Sequence, residues 1–528
     1  MDENRTADPP EMVVGTPDRS DPSRVTVPTH RAIPPAAVRE THVGVVFMVG
    51  DRAYKMKKPV RTDFLDFSTP QLRRAACYRE VELNRRLAPD VYLGVSHVLP
   101  PGDLFVAGPA GGEPAEPLVV MRRMPEGRCL ATMVTAGEPV ERDLRELARM
   151  MAAFHARADR GAAITADGGR DALRTRWAAN LAELAPFAGT VLDDALIDAL
   201  GRLSMRFLDG RAPLLQDRLD QDRIVDGHGD LIAADVFCLD DGPRVLDCLE
   251  FDDRLRHVDG LDDVAFMAMD LERLGRADLA DRFLDAYAEF SGDPAPTPLR
   301  HHYIAYRAGV RAKVACLRHR QGDGAAGADA SAYVTLALQH LERGSVRLAL
   351  VGGLPGTGKT TLGGALADRF GAALLSSDRV RKELVGLDPE QDARAPFREG
   401  LYTEERTAAT YAELLHRAEV LLAHGESVVL DASWTCAQHR HAAEELARRT
   451  GSDLLQLRCR TSVDTADRRI VTRGRTASDA TLAVSLAMSA ETEPWPEAVA
   501  IPTDGTVADS CELAASVWRG TSAGPGRR

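Results

Sequence analysis

Residues 347–361 read RLALVGGLPGTGKTT: a short apolar run, a glycine-rich loop, then a lysine and two threonines that open a helical pattern. Gly353 to Thr360 fits the pattern GxxxxGK[ST] with a strand before it and a helix after it, the context in which such a loop binds phosphate. Gly353, Gly356 and Gly358 let the backbone curl past Leu354, Pro355 and Thr357 with its amides pointing inward. Lys359 reaches the terminal phosphates, Thr360 offers its hydroxyl to Mg²⁺ at the helix N-terminus, and Thr361 follows as the next helical residue. The expected occupant of this loop is ATP with magnesium.

Around the loop the chain alternates. Apolar runs at 347–351, 373–376, 427–430, 453–457 and 498–501 are separated by helical segments, which predicts a five-stranded parallel α/β sheet over 345–518. Ligands of such sheets bind beyond the carboxyl ends of the strands, where Asp378 and Asp431 stand. Asp431 is placed to hold magnesium through water. Asp378, in SerAspArgValArgLys (377–382), is placed to accept a proton from a substrate hydroxyl. Either acid could instead cap the helix that follows it. A later helix carries Arg468, Arg469 and Arg473, with Arg475 just beyond. Arg469 and Arg473 are one turn apart, suited to clamping charge on a transferred phosphoryl group or to forming a solvated basic face.

The bulk numbers bound the rest. A chain of 528 residues exceeds one hydrophobic core, so two domains are expected. The net charge of −13 repels phosphate backbones, which argues against an extended nucleic-acid surface and for a small-molecule partner. No apolar stretch is long enough for a membrane helix, and the polar, proline-containing start lacks the form of a signal peptide, so a cytoplasmic enzyme is predicted. The eight cysteines have no metal-ligand spacing and read as reduced, mostly buried thiols. Residues 1–30 and 519–528 have the composition of disordered tails, and 321–330, rich in small residues, that of a flexible connection. The linker is therefore set at 321–344, with a helix over 331–343 bridging to the next strand.

Residues 31–320 form the other expected domain. Strands at 42–49 and 52–57 joined at Gly50 and Asp51, a helix at 75–87, and a short strand at 118–121 predict a small β lobe. From Glu141 onward Leu144, Leu147, Met151 and Phe154 recur at helical spacing, so a mainly helical lobe follows. Within it, HisGlyAspLeu (228–231) precedes ValLeuAspCys (245–248), which places Asp247 17 residues after Asp230 across a turn and a strand. That is how kinase-like folds present a base and a metal ligand.

Two resemblances add to this reading. The P-loop, SerAspArgValArgLys, ValValLeuAspAla (428–432) and the arginine helix followed by SerAspAla (478–480) resemble the small P-loop kinases related to zeta toxins, gluconate kinases and polynucleotide kinases, over about 345–510. The resemblance implies that Asp378 contacts the acceptor hydroxyl and that the lid arginines hold phosphates. The N-terminal half, over about 35–320, resembles the aminoglycoside phosphotransferase and choline kinase branch of the protein-kinase-like fold. That implies Asp230 as the catalytic acid, Asp247 as a metal ligand, Lys55 as the phosphate-contacting lysine and Glu80 as its helix partner, with Lys57 and Glu82 as alternatives. It also implies a hinge at 119–124 and a bracing role for Asp263. The sequence departs from the family loop at Ile232, where a histidine is usual, and at Asp235, where an asparagine usually binds magnesium. Together the halves resemble a bacterial bifunctional family. The expected activity is ATP- and Mg²⁺-dependent phosphorylation of small hydroxyl-bearing acceptors at two sites. The alternative is an N-terminal nucleotide sensor that regulates a P-loop ATPase or kinase.

Overall fold

The computed structural model describes residues 37–40, 43–61, 65–99, 103–106, 116–388, 391, 396, 398–472 and 481–520. The N-terminal tail, residues 521–528 of the C-terminal tail, Arg473 and Arg475 lie outside them.

Six strands form the N-terminal lobe: β1 (Ala37–Glu40), β2 (Gly44–Val49), β3 (Arg52–Lys57), β4 (Tyr92–Leu99), β5 (Asp103–Val106) and β6 (Glu116–Arg122). They pair in the order β1-β2-β3-β6-β4-β5, every pair antiparallel. Gly50, at φ 58°, takes the left-handed turn conformation that joins β2 to β3. Because side chains alternate along a strand, Ala53, Lys55 and Lys57 share one face of β3. The Pro70–Asn84 helix covers that face; Thr69 caps it by accepting from Leu72 N, and Pro70 occupies its first turn. This helix begins and ends earlier than the 75–87 span expected. β1, β4 and β5 are additions to the sheet: β1 is wholly exposed, so it carries no apolar alternation to read.

In the second lobe, Leu144, Leu147, Met151 and Phe154 of the Glu141–Arg157 helix are buried as their spacing predicts. The Gly260–Arg273 helix runs through the centre and is buried nearly all round, Asp262 and Asp263 included, with Val264 to Met269 all buried. Two short ribbons frame the site: β7 (Ile224–Asp226) pairs with β10 (His257–Asp259), and β8 (Val236–Leu239) with β9 (Gly242–Val245).

The expected flexible connection needs correction. A helix spans Ala326–Arg343, and Ala326, Ala330, Val334 and Ala337 have no exposed surface. It packs along the Thr297–Arg320 helix, where small side chains permit close approach, so it belongs to the helical lobe. Only 344–346 then connect the domains.

The C-terminal sheet comprises β11 (Arg347–Gly352), β12 (Ala373–Ser376), β13 (Val428–Asp431), β14 (Asp453–Arg460) and β15 (Val499–Pro502). All pairs are parallel, in the order β12-β13-β11-β14-β15. Leu348, Leu350, Val428 and Leu430 face one helical layer, with Tyr411 and Trp434; Ala349, Val351 and Val429 face the other, with Leu362 and Trp518. Burial on both faces explains why these strands read as continuous apolar runs.

The domains also touch directly. Arg211 donates to Thr450 O, and Arg206 donates to Gly451 O at 3.0 Å and to Asp453 Oδ1 at 2.7 Å. All eight cysteines are free. Among the described residues no helix is long and apolar enough to cross a membrane.

Candidate active sites

The P-loop sits at the carboxyl end of the central strand β11, between β13 and β14, where the strand order reverses. Its glycines are required by space as well as by conformation. Gly356 has φ 79°, and a Cβ there would lie 2.5 Å from Ala466 O; a Cβ on Gly353, at φ 141°, would lie 2.6 Å from Thr357 Oγ1. Gly358, at φ 89°, caps the Lys359–Phe370 helix. Leu354 O accepts from Thr357 Oγ1 at 2.7 Å and from Lys359 Nζ at 3.3 Å, so the lysine lies folded over its own loop.

Thr360 Oγ1 donates to Asp431 Oδ2 at 2.7 Å. Burial pushes the Asp431 carboxyl above the usual range, against the pull of Lys359 and the Thr360 hydrogen bond, and the Asp378 charge pushes the same way as burial. Asp378 lies in the first turn of the Ser377–Glu383 helix, just beyond β12. Neither acid caps a helix: the N-cap positions of the two helices that follow are Ser376 and Cys436. Arg469 bonds Gly356 O at 3.4 Å and Thr503 O at 2.6 Å, which fastens the loop rim to the segment after β15. Arg468 is exposed.

That segment was not singled out from the sequence. Thr503 Oγ1 donates to Thr357 O at 2.7 Å, and a cavity of about 200 Å³ opens beside the P-loop, lined by Gly358, Thr361, Arg469, Thr503, Thr506 and Ser510 among others. Its signal was the small polar run ProThrAspGlyThr (502–506) at the carboxyl end of the last strand.

In the N-terminal domain Lys55 Nζ lies 3.0 Å from Glu80 Oε1 and 2.5 Å from Asp247 Oδ1. Lys57 Nζ lies 2.8 Å from Glu80 Oε2 and also pairs with Glu250. Glu80 is therefore shared, and only Lys55 spans from it to Asp247. Burial opposes ionisation of Glu80, but the two ammoniums overcome it and hold its carboxyl below the usual range. Glu82, the other alternative, is exposed and pairs with Arg79.

The HisGlyAsp loop is fixed from behind. Asp263 accepts from His228 N at 2.7 Å and Gly229 N at 2.8 Å, and lies 3.0 Å from His155 Nε2. Arg307, bound to Asp262 on two sides, donates to Gly229 O at 3.0 Å. Asp262 and Asp263, which follow Asp247 in the chain, are thus paired inside the fold.

Asp230, Asp235 and Asp247 are near enough for their charges to act on one another. Burial pushes Asp230 up to about 6, with Arg311 opposing and Asp247 adding to the rise. Asp235 is driven well above the usual carboxylate range by burial, then by the charges of Asp247 and Asp230. Asp247 is held low, because Lys55 outweighs its burial.

The donor chemistry fits magnesium. Each site offers oxygen ligands: Asp230, Asp235 and Asp247 in one, Thr360 and Asp431 in the other. Among the described residues no three His, Cys, Asp or Glu side chains could hold a metal by themselves. Magnesium commonly takes one or two carboxylates and completes its shell with phosphates and water.

Uncharacterized protein Rv2004c of Mycobacterium tuberculosis is 46% identical over 482 residues, covering 91% of this chain and 95% of that one. The chain belongs to that protein's family. The AAA domain family model matches residues 348–495. Among solved structures, a choline/ethanolamine kinase family protein from Mesorhizobium loti is similar over 60% of this chain and 95% of its own, at 12% identity and a TM-score of 0.37. A gluconokinase from Sinorhizobium meliloti is similar over 34% of this chain and 98% of its own, at 16% identity and a TM-score of 0.24.

Proposed function

We propose that this chain is an ATP- and magnesium-dependent phosphotransferase with two active sites, each moving the γ-phosphoryl group of ATP to a hydroxyl of a small-molecule acceptor. The observation that carries the reading is the same in both domains: one carboxylate is tied to the phosphate-binding group, Asp247 to Lys55 and Asp431 to Thr360, while a second, Asp230 or Asp378, acts on it from nearby.

In the C-terminal site the P-loop amides and Lys359 hold the phosphates, and Asp378 orients the acceptor hydroxyl and takes its proton as the new O–P bond forms. The bond from phosphorus to the β-phosphate oxygen breaks, and ADP leaves. Thr360 and Asp431 would hold magnesium. In the N-terminal site Lys55, fixed by Glu80, holds the phosphates; Asp230 orients the hydroxyl; Asp235 and Asp247 would hold the ion. Bound magnesium neutralises phosphate charge. Asp235 with a proton matches the neutral asparagine of the family loop, and without one it adds a charge to bind the ion.

A second reading has one observation in its favour: the helical lobe grips the amino end of β14, the strand beside β11, through Arg206 and Arg211, at the end of the sheet opposite the P-loop. On that reading the N-terminal domain senses nucleotide and regulates its neighbour. Acceptor-dependent ADP release by Asp230→Ala and Asp378→Ala separates the two. Two sites predict that each variant loses a different acceptor's reaction. Unchanged turnover in Asp230→Ala, with nucleotide binding intact, would favour the sensor.

A further inference from the structure

Five charged side chains meet between β3 and the segment after Asp247, and two of them, Lys57 and Glu250, stand outside the proposed catalytic set. Lys55 and Lys57 share one face of β3, and the Pro70–Asn84 helix sets Glu80 against both. The hydrogen bonds divide unequally. Lys57 donates to Glu80 Oε2 at 2.8 Å and to Glu250, whereas Lys55 donates to Asp247 at 2.5 Å. Glu80 Oε1 lies 3.0 Å from Lys55 Nζ, yet it is shut off from water and has no hydrogen bond among the described residues. The cation that orients Glu80 is thus Lys57. Burial works against the Lys57 charge, but Glu80 and Glu250 outweigh it and hold the ammonium above its ordinary range.

Glu250 extends the arrangement to the segment that carries Asp247. Asp247 takes a left-handed φ of 63°, a strained conformation for a residue with a side chain. Two further hydrogen bonds hold it there: Tyr92 Oη accepts from Asp247 N at 3.1 Å, and Asn84 Oδ1 accepts from Cys248 N at 2.9 Å. Asn84 stands one turn beyond Glu80 and donates to Glu80 O at 2.8 Å. The helix and the 247–250 segment are therefore joined twice, once at Asn84 and once through Lys57 between Glu80 and Glu250.

We propose that Lys57 and Glu250 are positioning residues of the N-terminal site, holding Glu80 and the 247–250 segment in place while Lys55 moves from Asp247 to the nucleotide phosphates. The inference rests on the reading of Lys55 as the group that holds those phosphates. Nucleotide entry opens the Lys55–Asp247 pair, because each partner is needed elsewhere, and Glu80 Oε1 is the acceptor free to receive a Lys55 N–H. Lys57 keeps that oxygen aimed, since its own bond uses Oε2.

The test uses the full chain carrying Lys359→Ala, which weakens nucleotide binding at the P-loop, and follows Mg–AMP-PNP and adenosine by calorimetry. Adding Lys55→Ala identifies the N-terminal site as the binding step it removes. Lys57→Met alone leaves Glu250 buried without its cation, so the variant to measure is Lys57→Met/Glu250→Gln, which removes both charges of the second pair and keeps the chain folded. Its N-terminal site should bind Mg–AMP-PNP about tenfold more weakly, the loss expected when a charge-assisted hydrogen bond no longer orients its partner. Adenosine, which brings no phosphate to Lys55, should bind as it does in the parent. Parent-like Mg–AMP-PNP affinity in the double variant overturns the proposal while leaving Lys55 in its role. An equal loss for adenosine also overturns it, because a merely structural pair would weaken both ligands alike. If Lys55→Ala removes no binding step, the reading of Lys55 falls and the inference falls with it.

Discussion

Asp263 shows how much one buried side chain can fix. It accepts two consecutive backbone amides of the HisGlyAsp loop and contacts His155, so the direction of Asp230 depends on it. Burial alone would raise its carboxyl, but the hydrogen bond and charge of His155, with His228 and Arg307, hold it well below the usual range. A carboxyl depressed in the folded state adds stability that is complete above the unfolded value of about 3.9 and is lost as pH falls. Asp263→Asn should therefore lower the unfolding free energy in urea by about 2–4 kcal/mol near neutral pH and flatten the acid side of the stability curve. Asp230 gives the opposite pH signature. Its carboxyl is pushed up to about 6, chiefly by burial, and an orienting base must be ionised. The kcat/KM of the N-terminal reaction should rise with pH through about 6 and level off above it; a flat profile from about pH 5 to 7 would remove Asp230 from that role.

At the scale of elements, the Ala326–Arg343 helix carries the clearest prediction. It buries Tyr333, Val334, Ala337 and Leu341 against the helical lobe, so a fragment ending at residue 344 should be monomeric and unfold cooperatively. One ending at 325 should aggregate on size exclusion, because the partner face is left open. The same helix marks a limit of reading sequence. Its glycines and alanines have linker composition, and only the Thr297–Arg320 helix, which packs along it, shows that small residues serve close packing there. Of the five parallel strands, β11 and β13 are buried on both faces, whereas β15 buries only Ile501; all were legible as short apolar runs punctuated by helices. The edge strand β1 was not, since nothing in an exposed four-residue strand distinguishes it from a loop. At the sites, the P-loop and Asp431 could be read from local motif and spacing, whereas the Lys55–Glu80 pair followed only from the family resemblance. The loop after β15 and the shared use of Glu80 by Lys57 depend on contacts between distant segments, which spacing does not encode.

Across the whole molecule the two domains meet at a close backbone contact. A Cβ on Gly210 would fall 2.0 Å from Thr450 O, and the buried Arg211 donates to that same oxygen. The Arg206–Asp453 pair nearby is roughly a third exposed on each side. Such pairs contribute at most about 1 kcal/mol, so Arg206→Ala should change stability little. Gly210→Ala should cost about 1–3 kcal/mol through the overpacked contact and split a single calorimetric transition into two. The central claim is that one chain holds two separate phosphoryl-transfer sites. Transfer of label from γ-³²P-ATP to a panel of hydroxyl acceptors, run side by side on wild type, Lys359→Ala and Lys55→Ala, tests it most directly. The account predicts that each lysine variant abolishes labelling of a different acceptor and spares the other. Loss of all labelled products in Lys359→Ala, with none lost in Lys55→Ala, would contradict it.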